Sequence, residues 1–226
     1  MGRLAVVLGS SGLGPAGEDV AATAAEGGAL VLQRHAGRDG TYALPHLIDH
    51  VANLRSLAEQ GCDRVLALGS VGSLRDGLAV GTFLCPDDFI ALQLGLTGLG
   101  DIRAHRAPGF DPTWRGELIS AWGSNDTTPL HDGGVYWQTI GPRFETPAEI
   151  RLMAAHAHVV GMTIASECVV AGELGLAYAA VCVVDNLANG VGPGTLSVEE
   201  LERDRTANVL RLRDAVETTL AALGDG

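Results

Sequence analysis

The sequence predicts an α/β fold: a single domain, residues 1–226, with a mostly parallel central sheet flanked by helices. Short apolar runs of strand length alternate with segments whose apolar residues recur at helical spacing. Several of the runs end in glycine-rich stretches, as strands do where they enter loops. Strands separated by helices favour a parallel sheet covered on both faces. A chain of 226 residues suits one such domain. It can bury roughly 70% of its unfolded surface without a disulfide or metal staple.

Taken in order, Leu4–Leu8 reads as a first buried strand ending at Gly9, and Ala29–Leu32 as a second. Between His46 and Gln60, Leu47, Ile48, Val51, Leu54, Leu57 and Ala58 fall at helical spacing, and Gly61 stops the helix. Arg64–Leu68 is a strand leading into Gly69-Ser70-Val71-Gly72-Ser73, read as a loop. Residues 82–92 hold short apolar runs around Pro86, and 95–111 form a glycine-rich surface excursion. Val135–Ile140 is a strand. Thr146-Pro147-Ala148-Glu149 then opens a helix with a hydroxyl cap, a first-turn proline and a glutamate reaching back. Ile164–Leu174 reads as a buried helix, Tyr178–Val184 as a strand and 185–195 as a loop. Ser197 with Glu200 caps a terminal helix running to about Leu223. Ligands of such sheets bind beyond the strand carboxyl ends, which places candidate loops at 9–14, 33–41, 69–74 and 185–195.

Composition narrows the function. The formal charge of −12 argues against nonspecific nucleic-acid binding, which needs basic surface. An anionic substrate would have to be held by a local cluster. All 15 basic residues are arginine, so lysine Schiff-base chemistry is excluded. No apolar run reaches the ~18 to 20 residues that span a bilayer, and the N-terminal apolar stretch is too short for a signal segment. The expectation is a cytoplasmic protein with no membrane partner. Cys62, Cys85, Cys168 and Cys182 lack CxxC pairing and zinc-ligand spacing, so buried free thiols and no metal are expected.

Gly9-Ser10-Ser11-Gly12 can offer backbone amides and hydroxyls to an anion, or be an ordinary tight turn. Arg34 can bind a phosphate bidentately with His35 donating beside it, or the pair can be surface decoration. Ser70 and Thr163 add hydroxyls. In Gly141-Pro142-Arg143-Phe144-Glu145-Thr146, Phe144 offers a flat face for a base and Glu145 a carboxylate, although that carboxylate can equally serve the helix that follows. Asn186 closes a strand with an amide that both donates and accepts, or forms a turn.

In order along the chain, Gly9–Leu13, Arg34-His35, Pro45-His46 through Ala52-Asn53, Gly72-Ser73-Leu74, Gly141–Glu149 and Gly161-Met162-Thr163 with Ser166-Glu167 form a set. With them the chain resembles the trimeric purine nucleoside phosphorylase family, including its 5'-methylthioadenosine phosphorylase branch, over nearly its whole length. The resemblance implies a nucleoside phosphorylase-like fold and a homotrimer. It also implies phosphorolysis of a purine nucleoside, with inorganic phosphate as co-substrate and no cofactor. It assigns Ser11, Arg34, His35, Ser70 and Thr163 to phosphate, Met162 to the ribose and Phe144 to the base. The Glu145 and Asn186 pair resembles the inosine/guanosine type, because a carboxylate accepts from the N1–H that a 6-oxopurine carries and adenine lacks. Val198 and Leu201 resemble the apolar lining of the methylthio branch, and no histidine stands in that region. A 6-oxopurine site with an apolar 5' pocket points to 5'-methylthioinosine. His105 matches a histidine reaching a neighbouring subunit's site. Two departures stand out: Ala36–Leu44 is longer than the family's Arg-His-Gly-x-x-His pattern, with Gly40 near the place of its second histidine, and the phosphate loop has Gly69-Ser70. The alternatives are a methylthioadenosine phosphorylase, a water-using purine nucleosidase of the same fold, or a noncatalytic nucleoside binder.

Overall fold

The computed structural model describes residues 2–10, 15–37, 40–123, 128–192 and 198–224, without the side chains of 15–16 and 198–207. Among the described residues nine strands form one sheet: β1 (Arg3–Leu8), β2 (Leu30–Gln33), β3 (Cys62–Ser73), β4 (Phe83–Cys85), β5 (Asp88–Ile90), β6 (Leu130–Asp132), β7 (Val135–Gln138), β8 (Val159–Gly161) and β9 (Ala177–Leu187). The helices are α1 (Pro15–Glu26), α2 (His50–Glu59), α3 (Pro112–Trp122), α4 (Pro147–Ala154), α5 (Ile164–Leu174) and α6 (Val198–Gly224). All strand pairs are parallel except β3 with β8 and β4 with β9, so the expected mostly parallel sheet is present.

Alternation along the central strands builds two cores. Ala5 and Val7 of β1, Val65 and Ala67 of β3, and Ala180 and Cys182 of β9 face one side, where α2 and α5 pack. Val6, Leu8, Leu66, Leu68, Val181 and Val183 face the other, against α1, α3 and α6. These strands read as unbroken apolar runs because each residue meets a helix layer whichever way it points.

β3 organises the sheet. One edge pairs with β9 from Arg64 to Ser73. The other pairs with β1 as far as Leu68, then with β8 at Gly72 and Ser73. The sheet therefore forks along β3 between Leu68 and Gly72, and the gap between β1 and β8 opens there.

This corrects three sequence expectations. Gly69–Ser73 is strand, not loop, because β9 pairs with it throughout. β9 likewise continues through Asp185 and Asn186 to Leu187. The helix expected from His46 begins at His50: Asp49 caps it by accepting from the Ala52 amide at 3.0 Å, and Pro45–Leu47 forms a separate 3-10 turn. The Thr146/Glu149 capping box opens α4 as its spacing predicts. The Ser197 cap lies outside the described residues.

Leu66 is fully buried at the centre of β3. Leu66→Ala is expected to cost about 2 to 5 kcal/mol, through lost burial and the cavity left behind. Urea unfolding measures this; an unchanged midpoint would contradict the packing described.

Candidate active site

A cavity of about 260 Å³ opens at the fork. Its walls come from segments distant in sequence: Ser10 after β1, Arg34 and His35 after β2, Ser70 to Gly72 of β3, Met162 and Thr163 between β8 and α5, and Asn186 near the end of β9. Phe144 and Glu145, before α4, close it from the side of β7. The antiparallel pairing of β3 with β8 is what brings Thr163 to the same place as Ser70, because the chain leaving β8 runs back along β3.

Arg34 is 2% exposed. Its Nε donates to Glu167 Oε1 at 2.6 Å, its Nη2 to Glu167 Oε2 at 2.9 Å and its Nη1 to the Leu68 carbonyl at 2.9 Å. The guanidinium carries five N–H groups, so one on each terminal nitrogen remains beyond these three bonds. Burial works against its charge, but the Glu167 carboxylate outweighs it and raises the pKa. Tyr178, from β9, donates its hydroxyl to Glu167 Oε2 at 2.7 Å and completes the clamp. Gly9 is explained by the same group: a Cβ there would lie 2.5 Å from Arg34 Nη1. The glycine admits the guanidinium.

His35 Nδ1 lies 2.8 Å from the Ala43 carbonyl, which requires the proton on that nitrogen. In the neutral ring Nε2 is then an acceptor, so the ring can donate there only when protonated. Burial lowers the His35 pKa, the Ala43 bond opposes this, and the Arg34 charge lowers it further. Tyr42 stacks on the ring at 4.7 Å between centroids and also lines the cavity.

The start of α5 is capped from β7. The Tyr136 oxygen accepts from the Thr163 amide at 3.2 Å and the Ile164 amide at 3.4 Å, and Gln138 Oε1 accepts from the Ser166 amide at 3.0 Å. Thr163 makes no side-chain cap, so its hydroxyl is not spent on the helix. At the opposite wall, Glu145 is 7% exposed, and its Oε1 accepts from Thr139 Oγ1 at 2.6 Å. Asn189 Nδ2 donates to the Glu145 main-chain carbonyl at 2.9 Å. Asn186 Nδ2 donates one hydrogen to the Leu187 carbonyl at 2.9 Å, which leaves its second.

Of the residues singled out in the sequence, Arg34, His35, Ser70, Phe144, Glu145, Met162, Thr163 and Asn186 surround this one cavity. Phe144 stands half open at its mouth. Ser11 lies outside the described residues, as do the side chains of Val198 and Leu201, which stand in α6. His105 is exposed, ends the Ile102–Ala104 turn and is not part of this chain's cavity wall. Glu167, Tyr178, Tyr42, Thr139 and Asn189 were not assigned roles from sequence. Their partners are reached through the fold, and no spacing announces them. The four cysteines are buried and free, with burial pushing Cys85 and Cys168 up to about 12. No His/Cys/Asp/Glu group suited to a metal occurs among the described residues, and no described helix is long and apolar enough to cross a membrane.

A buried guanidinium with donors left over, a carboxylate and an amide around one cavity at a sheet fork define a small-molecule site in an α/β protein. The chain matches the Phosphorylase superfamily over residues 1–221 and belongs to that family. It is 38% identical over 187 residues to an Archaeoglobus fulgidus protein named "Probable 6-oxopurine nucleoside phosphorylase", covering 83% of this chain and 76% of that one. It is 36% identical over 159 residues to a Methanothermobacter thermautotrophicus protein named "Probable S-methyl-5'-thioinosine phosphorylase", covering 70% of this chain and 56% of that one. Its fold matches that of methylthioadenosine phosphorylase from Schistosoma mansoni, with a TM-score of 0.78 at 20% identity, covering 99% of this chain and 92% of that one.

His50 adds a pH dependence. It is buried in α2, its Nδ1 lies 3.9 Å from Glu167 Oε1, and that nitrogen has no hydrogen-bond partner among the described residues. Burial pushes its pKa down to about 4, against the pull of Glu167. Above the unfolded value of about 6.5 the ring is neutral in both states. As pH falls below that, the unfolded chain takes a proton the folded chain refuses, so stability is lost until about 4. The loss attributable to His50 is expected to reach about 2 kcal/mol at pH 5. Urea unfolding of wild type and His50→Gln at pH 7 and pH 5 isolates it; identical pH dependence would contradict the assignment.

Proposed function

We propose that this chain is a purine nucleoside phosphorylase. It splits the N-glycosidic bond of a 6-oxopurine nucleoside with inorganic phosphate, giving the free base and a ribose 1-phosphate. The observation that carries the reading is that Glu145 and Asn186 share one cavity with Arg34, His35 and Thr163. The relatives named as 6-oxopurine nucleoside and S-methyl-5'-thioinosine phosphorylases support it.

In this reading the base lies at the Phe144 side of the cavity. Glu145 accepts from its N1–H, and the second Asn186 hydrogen goes to N7. Phosphate takes the remaining Arg34 donors, the Thr163 hydroxyl and the hydroxyls of Ser11 and Ser70, below C1'. Met162 packs against the ribose. The bond from C1' to N9 lengthens and an oxygen of phosphate bonds to C1'; the phosphate proton is balanced by the proton the departing purine acquires. Phosphate stabilises positive charge on the sugar, and Asn186 stabilises negative charge on the purine. No cofactor enters. The chain's overall charge repels phosphate, so its binding rests on these local donors.

For the sugar's 5' end, the apolar surface of Leu44 and Pro45 in the cavity wall and the presence of methylthioinosine phosphorylases among the relatives support a 5'-methylthio group. The same reading carries a cytoplasmic homotrimer, with His105 serving a neighbouring site.

With inosine and methylthioinosine as substrates, hypoxanthine release is expected to require phosphate. Asn186→Ala is expected to lower turnover about 100- to 1000-fold, the scale for loss of a preorganised donor. Steady-state assays with and without phosphate check both. Base release undiminished without phosphate would establish hydrolysis instead, and near-full turnover in the variant would remove Asn186 from the reaction.

A further inference from the structure

We infer that Thr139 is a positioning residue that sets the purine selectivity of the site through its hydrogen bond to Glu145. The inference rests on the base-binding role proposed for Glu145. Thr139 follows β7 directly, and its amide donates to the Gly161 carbonyl at 2.9 Å, so its backbone is fixed as an extension of the β7–β8 pair. It stands behind Glu145, outside the cavity wall. Its hydroxyl donates to Glu145 Oε1 at 2.6 Å.

Among the described residues no other hydrogen bond fixes the torsion of this carboxylate. The terminal torsion of a glutamate is broad and two-fold, so a carboxylate held only by its stem presents either oxygen over a wide arc. With Oε1 bound to Thr139, the carboxylate plane is set and Oε2 becomes the acceptor left for a ligand. Thr139 uses its hydrogen on the carboxylate, and an ionised carboxylate brings none of its own. At Glu145 a base therefore meets acceptors only. A purine with a ring N–H finds a partner there; a 6-aminopurine places its N1 lone pair against an oxygen lone pair.

Asn189 holds the other end of the same residue. Its Nδ2 donates to the Glu145 main-chain carbonyl at 2.9 Å, and it follows the segment that carries Asn186. Gly190, at φ +86, lies close enough to Pro147 that a Cβ would approach it to 3.3 Å. The loop after β9 and the loop before α4 are thereby tied together. The two groups that read the base share one frame, with Thr139 setting the carboxylate and Asn189 its backbone.

The test compares wild type, Thr139→Val and Thr139→Ser on inosine and adenosine, with thermal unfolding run alongside. Loss of a hydrogen bond to a charged group is expected to lower kcat/KM for inosine about 10- to 100-fold in Thr139→Val. The KM for phosphate should stay as in wild type, and the inosine preference over adenosine should fall. Thr139→Ser is expected to restore both, which a purely structural role for the threonine methyl would not produce. A folded Thr139→Val that keeps the wild-type preference within about threefold overturns the inference. So does a folded Thr139→Ser enzyme that loses the wild-type inosine preference, which decides the matter even where valine prevents folding. If wild-type enzyme phosphorolyses neither of these nucleosides nor their 5'-methylthio counterparts, on which the same comparison is then run, the function proposed for the site fails first. If wild type prefers inosine and Thr139→Val does too, only the role of Thr139 fails.

Discussion

The buried pair of Arg34 and Glu167 is the constraint on which the site is built. A guanidinium taken out of water costs several kcal/mol unless it is paired and its donors satisfied. Here Glu167 accepts two of its bonds and the Leu68 carbonyl a third. Each partner comes from a different part of the chain: Arg34 follows β2, Glu167 lies in the first turn of α5, and Leu68 marks the last β3 residue paired with β1. Gly9 leaves room for the head group, and Tyr178 fixes the carboxylate from β9. The pair therefore ties α5 across the fork in the sheet. The floor of the cavity is set before any ligand arrives.

The pair also shapes what the cavity offers an anion. Its charges cancel locally, and His35 beside it has a lowered pKa. The chain as a whole carries −12. Attraction by net positive charge is thus a small part of the account. Directed donors remain: the outward N–H groups of Arg34 and the Thr163 hydroxyl, left available because Tyr136 and Gln138 cap α5. Such an arrangement is preorganised, and preorganised donors stabilise charge without reorientation at the moment of reaction. Glu145 follows the same pattern at the other end, gripped by Thr139 and Asn189.

Much of this was legible in the sequence because the central strands and helices carry local signals. The apolar run of β1, the apolar stretch Ile164–Leu174 of α5 and the Thr146/Glu149 capping box needed no tertiary context. Residues 69–73 misled because glycine and serine normally mark turns, whereas here small residues suit a strand crossed closely by others: a Cβ on Gly72 would sit 3.3 Å from Asn186 Nδ2 and from Val160. The three-residue strands β6 and β8 are too short for periodicity to declare. α3 did carry signals, Asp111-Pro112 at its start and Trp114, Leu118 and Trp122 at four-residue spacing, and the reading from spacing passed over them. At the site, the motif residues were visible, but their supports were not. Glu167, Tyr178 and Thr139 act through contacts that only the folded sheet creates, and a threonine after a strand looks like any other.

The central claim is that one cavity holds an oxyanion at Arg34 and a 6-oxopurine at Glu145 and Asn186. A crystal structure with phosphate and hypoxanthine bound tests it most directly. The account predicts phosphate within hydrogen-bonding distance of Arg34 and Thr163, with Arg34 still paired to Glu167, and the base N1–H on Glu145. Phosphate seated away from Arg34, or a base that leaves Glu145 and Asn186 untouched, would contradict it.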